Sequence, residues 1–352
     1  MKPQLLKYFI LLFAAFTQQA HAQQSWDWAQ SAFTNGNCTS FDVDVDQSNG
    51  DVYMVGEYVN SGLDIGTPTQ ATLATPGASP DGFVAKFDED GTLLYSFRIG
   101  LNGGSTTIRS IAVASNGDFY VAGDFTGTSN FKGLDVANSN SVSVGRDGFL
   151  AKYSSAGILI WKEIVSGLTT EYIEGVDVST NGVYIVGNSN SALLSGLAGL
   201  GDYDGIVLKY ATGGGLGWIA KIGGAGTETM TSISVEGTEI YLSGYSNNDV
   251  TTYSSSNAAA NSFTLNAGED AFACKYTDNG LTGTANWLNH INSSSTDRAY
   301  GIDISGLNLY VVGQSSSSTM FGTFGPVTGQ VSQDIFVSKI DPLTGVTDWA
   351  FN

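Results

Sequence analysis

The chain has 352 residues, with 14 Lys plus Arg against 33 Asp plus Glu, for a formal charge of −19. So few basic residues exclude a nucleic-acid binder, which needs clustered Lys and Arg against phosphate. A hydrophobic share of 42% excludes a disordered chain, and two Cys are too few for a disulfide framework or a thiolate metal site.

In chain order, residues 1–22 come first. Lys2 and Lys7 precede the apolar run Tyr8 to Phe16, and Ala20-His21-Ala22 supplies a small-residue cleavage site. This is the pattern of a secretory signal peptide, so the chain is expected to be exported to the periplasm, cell surface or medium. The apolar run is shorter than the roughly 20 residues a membrane span needs, and no later segment approaches that length. No transmembrane segment is expected.

From residue 24 onward the sequence repeats. DGFVAKF (81–87) recurs as DGFLAKY (147–153), DGIVLKY (204–210), DAFACKY (270–276) and DIFVSKI (334–340). Each copy is preceded by a segment of the type VYMVG (52–56), FYVAG (119–123), VYIVG (183–187), IYLSG (240–244) or LYVVG (309–313). Before those lie FDVDV (41–45), SIAVA (110–114), GVDVS (175–179), SISVE (232–236) and GIDIS (301–305). A fourth element carries an aromatic anchor: Trp28, Tyr95, Trp161, Trp218, Trp287 and Trp349. The period is about 64 residues, within the range that marks repeat architectures.

The segments are short, β-branched and aromatic, and bounded by Gly, Asn, Asp or Ser. Asn-Gly pairs at 49–50, 116–117 and 181–182 predict hairpins between the first and second elements. Each repeat therefore reads as a four-stranded antiparallel meander, with almost no helix after residue 22. Radially repeated meanders describe a β-propeller. The expected fold is all-β: one propeller domain over 24–352, with five four-stranded blades. One outermost strand, Trp26–Phe33, is left over, since five closed blades need 20 strands and the chain offers 21. That surplus predicts an incomplete part of a larger ring.

The combination of GIDIS, LYVVG and DIFVSK followed by an aromatic strand resembles the bacterial seven-bladed β-propeller (SBBP) repeat proteins. The resemblance implies a secreted or surface protein of the kind abundant in Bacteroidota, mostly without an assigned activity. It also implies that the GIDIS-type strand is innermost and the aromatic strand outermost.

Candidate chemistry is sparse. His290, in NWLNHIN, is the one histidine left after export, and its outermost strand favours packing over catalysis. The repeated Asp81, Asp147, Asp204, Asp270 and Asp334, and the repeated Lys86, Lys152, Lys209, Lys275 and Lys339, read as fold constraints. The Asp side chains are expected to accept backbone N–H bonds, and the Lys stems to lie on a neighbouring blade. A further acidic position holds Glu171, Glu228 and Asp297, matched elsewhere by Cys38 and Thr106. Cys38 reads as a loop residue and Cys274 as a small buried hydrophobe.

On the innermost strand, one equivalent position holds Asp44, Ala112, Asp177, Ser234 and Asp303. Three carboxylates around one channel suggest a hard-cation site, with Ca²⁺ the expected ion; no other cofactor is expected. The long connections 59–80, 126–146, 190–203, 247–269 and 316–333 all emerge on one face and differ in sequence. The favoured function is a non-catalytic binding, adhesion or scaffold module for a glycan, a peptide or another surface protein. The alternative is a secreted polysaccharide-acting enzyme using Asp44, Asp177 and Asp303, whose carboxyls would then flank a sugar.

Overall fold

The computed structural model describes residues 28–351 except 102, 138–144, 266–267, 317 and 329–332. The signal sequence expected at 1–22 lies outside the described residues. Among those described there is no helix, and the fold is all-β. Five sheets follow one another along the chain, each built on four antiparallel strands in sequence order. Sheet 1 contains Asn37–Val45, Val52–Val59, Asp81–Phe87 and Leu93–Ile99. Sheet 2 contains Ser105–Val113, Phe119–Thr126, Asp147–Tyr153 and Leu159–Val165. Sheet 3 contains Glu171–Ser179, Gly182–Ser189, Asp204–Tyr210 and Leu216–Gly223. Sheet 4 contains Glu228–Glu236, Glu239–Ser246, Asp270–Asp278 and Gly283–Asn292. Sheet 5 contains Arg298–Ser305, Asn308–Ser315, Asp334–Ile340 and Thr347–Phe351. Cys38 therefore sits in the first strand of sheet 1 and not in a loop.

The third strands explain why the sequence reads as unbroken apolar runs. DGFVAKF and DGIVLKY are buried at every position, DGIVLKY because a neighbouring sheet covers each face, DGFVAKF because sheet 2 covers one face and Ala32, Leu63 and Ile65 the other. Four apolar clusters fill the seams between successive sheets, from Phe97 against Phe119 at the first to Ala273 against Val311 at the last. A fifth lies under the N-terminal segment, where Ala32 packs with Phe83 and Phe87.

Each first strand carries a one-residue bulge, at Phe41, Arg109, Glu174, Thr231 and Tyr300. The bulge explains the glycine that ends every VYMVG-type segment. At Gly123 and Gly187 a Cβ would overlap the carbonyl oxygen of Thr107 or Tyr172, and Gly56, Gly244 and Gly313 meet the equivalent carbonyls. Backbone cannot yield there as a side-chain tip can. Gly187→Ala should therefore cost about 1–3 kcal/mol in a denaturant melt, the usual range for an overpacked site.

The outermost aromatics lock each sheet to the next. Tyr95, Trp161, Trp218 and Trp287 cover Gly157, Gly214, Gly283 and Gly345 of the following repeat; a Cβ would strike the ring at Gly283 and Gly345, crowd it at Gly157 and touch it at Gly214. Their polar atoms bond that repeat as well: Trp161 Nε1 to the Thr212 carbonyl at 3.1 Å and Trp287 Nε1 to the Pro342 carbonyl at 3.1 Å. Trp28 does the same for sheet 1, covering Gly91 and donating to the Glu89 carbonyl at 2.7 Å. The surplus N-terminal strand, seen here as Ala32–Phe33, thus behaves as the outermost strand of a repeat preceding sheet 1.

The connections expected as open loops fold partly into hairpins: Leu63–Ile65 with Ala71–Leu73, Thr128–Asn130 with Asp135–Ala137, Leu193–Leu194 with Leu197–Ala198, Val250–Tyr253 with Ala259–Phe263, and Thr319–Phe321 with Phe324–Val327. Some attach to the outer strand of the preceding repeat. Thr252 pairs with Ile222, Phe321 with Ile291, and Ile65 with Ala32.

Candidate functional site

The first strands of all five sheets line one cavity of about 630 Å³. Its wall is polar where the middle positions of those strands face it. The expectation for Asp44, Asp177 and Asp303 meets a different geometry there. Asp44 accepts the N–H of Val113 in the next sheet at 2.7 Å and that of its own neighbour Val45 at 2.7 Å. Asp177 accepts Val235 N–H in the next sheet at 2.6 Å and Val178 N–H at 2.7 Å. Asp303 receives the Ser234 hydroxyl at 3.1 Å and Ile304 N–H at 3.0 Å. These carboxylates tie inner strands together, a duty shared by Asp42, which accepts Ser110 Oγ and Ile111 N. Among the described residues no three His, Cys, Asp or Glu side chains gather to hold a metal ion, so the expected Ca²⁺ ligand set does not assemble. Burial pushes Asp177 up to about 7, opposed by its two N–H bonds and reinforced by Asp44 and Asp303; burial also lifts Asp44.

The other repeated carboxylates lie at the seams between sheets. Asp81 faces Arg98 at 3.2 Å and Asp270 faces His290 at 2.7 Å, whereas Asp204 accepts Leu200 N–H at 2.7 Å. Asp204 thus makes a backbone bond of the kind expected, and Asp81 and Asp270 each meet a side chain from the fourth strand. His290 is committed to packing, stacked on Phe263 with ring centroids 3.8 Å apart. Glu171, Glu228 and Asp297 are fully buried beside Asp147, Asp204 and Asp270 of the preceding repeat. Burial raises Glu228 to about 7, and raises Asp297 and Asp81 to about 6 each. The repeated lysines are paired: Lys86 with Asp51 at 2.7 Å, Lys209 with Asp278 at 2.5 Å and Lys275 with Glu239 at 2.6 Å. Several also stand over the second-strand tyrosine, Lys86 lying 4.9 Å from the Tyr53 centroid. Cys274 is fully buried and free, its thiol pushed up by burial.

The arrangement best suited to a ligand lies beside the central cavity. A groove of about 380 Å³ is bordered by Arg109, Tyr172, Glu174, Asn188, Tyr203 and Thr229. Arg109 and Glu174 border the central cavity too, so the two spaces meet at that pair. The Tyr172 and Tyr203 rings lie 6.2 Å apart at 36°. Arg109 bonds Asp124 at 2.9 Å, approaches Glu174 at 3.5 Å, and stands 5.9 Å from the Tyr172 centroid. Burial works against the Arg109 charge, but Asp124 and Glu174 outweigh it and hold the guanidinium ionised. Burial also lifts Glu174, against the pull of Arg109. Sequence reading had passed over these residues. The available signal was the bulge position, where five repeats carry Phe, Arg, Glu, Thr and Tyr amid otherwise recurring strands.

No family model matches the chain. A curated relative, the regulatory protein FlaEY of Caulobacter vibrioides, is 26% identical over 331 residues, covering 88% of this chain. The chain spans about a third (34%) of that relative's length. Among solved structures, parainfluenza virus 5 hemagglutinin-neuraminidase aligns at 7% identity with a TM-score of 0.30, over 88% of this chain and 92% of that one. Citrobacter koseri AztD aligns at 11% identity with a TM-score of 0.27, over 76% and 78% respectively.

Proposed function

We propose that the protein is an exported, non-catalytic β-propeller whose five four-stranded blades present a binding site on the face from which the long connections emerge. The observation that carries this reading is the Tyr172–Tyr203 groove beside the half-buried Arg109–Glu174 pair. Two half-buried rings offer flat apolar surface, while Asn188, Thr229, Glu174 and Arg109 offer hydrogen bonds around it. Such a mixture suits a hydroxyl-rich ligand, and a short glycan fits it better than an apolar peptide. The innermost carboxylates support the same reading. A hydrolase needs one carboxyl free to move a proton and another free to attack or to activate water. Asp44 and Asp177 instead each hold two backbone N–H groups.

A glycan array probed with the purified protein should give a restricted set of binders. Tyr172→Ala and Tyr203→Ala should each weaken the best of them by about tenfold, since stacking contacts are worth roughly 0.5–1.5 kcal/mol beyond area burial. An array without binders, or binding indifferent to both substitutions, overturns the assignment. Export is checked separately, by N-terminal sequencing of the protein recovered outside the cytoplasm, with Gln23 the expected first residue.

A further inference from the structure

The five bulge residues of the first strands, Phe41, Arg109, Glu174, Thr231 and Tyr300, all border the central cavity. A bulge leaves its residue outside the ladder and re-aims its side chain. Two of the five are exposed aromatics, Phe41 at 41% and Tyr300 at 47%. Neither ring belongs to the apolar clusters that join the sheets. Their neighbours in the wall are polar: Ser110, Thr231, Ser232 and Ser234 supply hydroxyls there. Exposed rings set into a polar wall are the same mixture that the Tyr172–Tyr203 groove shows.

Arg109 joins the two spaces. Its guanidinium carbon stands 5.9 Å from the Phe41 centroid and 5.9 Å from the Tyr172 centroid, and Asp124 and Glu174 tether it there. Tyr203 follows at 6.2 Å from Tyr172. Flat π-surface therefore runs from the groove, across the guanidinium, to the cavity. Groove and cavity, at about 380 and 630 Å³, each have the size of a complete ligand pocket. Charge narrows what could occupy both. Asp42, Asp44, Asp177 and Asp303 line the cavity, so a sugar acid would set its carboxylate against theirs. Hydroxyls can instead donate to the lone pairs that single N–H bonds leave open on Asp44 and Asp177.

We infer that the central cavity is a second stretch of the same site, and that the ligand is a neutral, linear oligosaccharide whose first units lie on Tyr172 and Tyr203 and whose further units enter the cavity past Arg109. Phe41 and Tyr300 stack the added units, and the inner-strand carboxylates accept their hydroxyls. The inference rests on the glycan reading of the groove and goes beyond it in two respects. It requires a chain instead of a single sugar or a disaccharide, and it excludes sugar acids.

The test is titration calorimetry with neutral linear oligosaccharides of two and six units, from the gluco, manno, galacto and xylo series, and with oligogalacturonate as their acidic counterpart. In a series that binds, six units should bind at least about tenfold tighter than two, the scale that two added aromatic contacts supply. Phe41→Ala combined with Tyr300→Ala should bring that ratio close to one. Phe41→Tyr combined with Tyr300→Phe keeps both rings and should preserve it. Oligogalacturonate should not bind. Equal affinity for two and six units, a ratio that survives the double alanine variant, or oligogalacturonate binding as tightly as the neutral chains overturns the inference. In each of those cases binding that Tyr172→Ala weakens leaves the groove reading standing. Absence of binding in every series overturns both.

Discussion

A thermal melt at pH 5 should lie well above one at pH 8, the reverse of what paired surface carboxylates would produce. Asp81 and Asp297 are raised to about 6, and Asp177 and Glu228 to about 7, in each case by burial first. In the unfolded chain these groups titrate near their ordinary values of about 4. Between pH 4 and 7 the folded protein therefore binds more protons than the unfolded one, and stability falls as pH rises. The stabilisation is fully present below the unfolded values and is lost as pH climbs through 6 to 7. Each pH unit of displacement is worth about 1.4 kcal/mol, so even a fraction of the four rivals the roughly 5–15 kcal/mol that holds a domain folded. Repulsion within a chain of charge −19 acts in the same direction. Melts in about 0.3 M salt, where exposed charges are largely screened, isolate the buried groups. Glu228→Gln with Asp297→Asn should flatten the profile and raise the pH 8 melting temperature. A wild-type melting temperature higher at pH 8 than at pH 5 would refute the account.

Asp278→Ala should be among the most damaging single substitutions in the seam between sheets 3 and 4. Its carboxylate accepts Lys209 Nζ at 2.5 Å, Trp218 Nε1 at 3.0 Å, the Tyr184 hydroxyl at 2.8 Å and Gly280 N–H at 2.9 Å. Lys209, Trp218 and Tyr184 belong to sheet 3, and together these four donors hold the Asp278 carboxyl below its ordinary range despite burial. Removing it strands a buried ammonium, a loss of about 3–5 kcal/mol. Lys209→Met in the same background should recover part of that loss. Lys339→Met, at the equivalent place in sheet 5, should change stability by less than about 0.5 kcal/mol, since its pair is exposed. Equal losses from Asp278→Ala and Lys339→Met in urea melts would show that the seams do not carry the stability assigned to them.

The repeat was legible because its markers answer to local needs. The glycine of VYMVG relieves a carbonyl, the lysine of DGFVAKF pairs over a tyrosine, and the aromatic anchor covers a turn glycine; each requirement recurs once per repeat and so appears as a recurring letter. What lay across a seam was not legible. Asp44, Asp177 and Asp303 stood out as carboxylates on an inner strand, but that Val113 and Val235 present N–H groups to two of them depends on the stagger between sheets. A one-residue bulge likewise hides in a stretch such as TTIRSIAV, where Arg109 looks like any alternating strand residue. The hairpins within the long connections escaped notice for a compositional reason: TTYSSSNAAANSF is rich in Ser and Asn, and its strands form against a neighbour that the local sequence does not name.

That borrowing has a bearing on how the protein unfolds. Where Val250–Tyr253 and Thr319–Phe321 are spliced onto the outer strands of their predecessors, the covalent repeat and the hydrogen-bonded sheet are out of step. Part of sheet 3 is encoded by the fourth repeat, and part of sheet 4 by the fifth. In a linear array each unit can melt alone when its intrinsic stability is large compared with its coupling to neighbours. Here melting one repeat would tear strands from the sheet before it, so the coupling is built into the backbone hydrogen bonding as well as the side-chain packing. Internal repeats should accordingly leave the native state together, and a cut placed at a repeat border would divide a sheet instead of separating two.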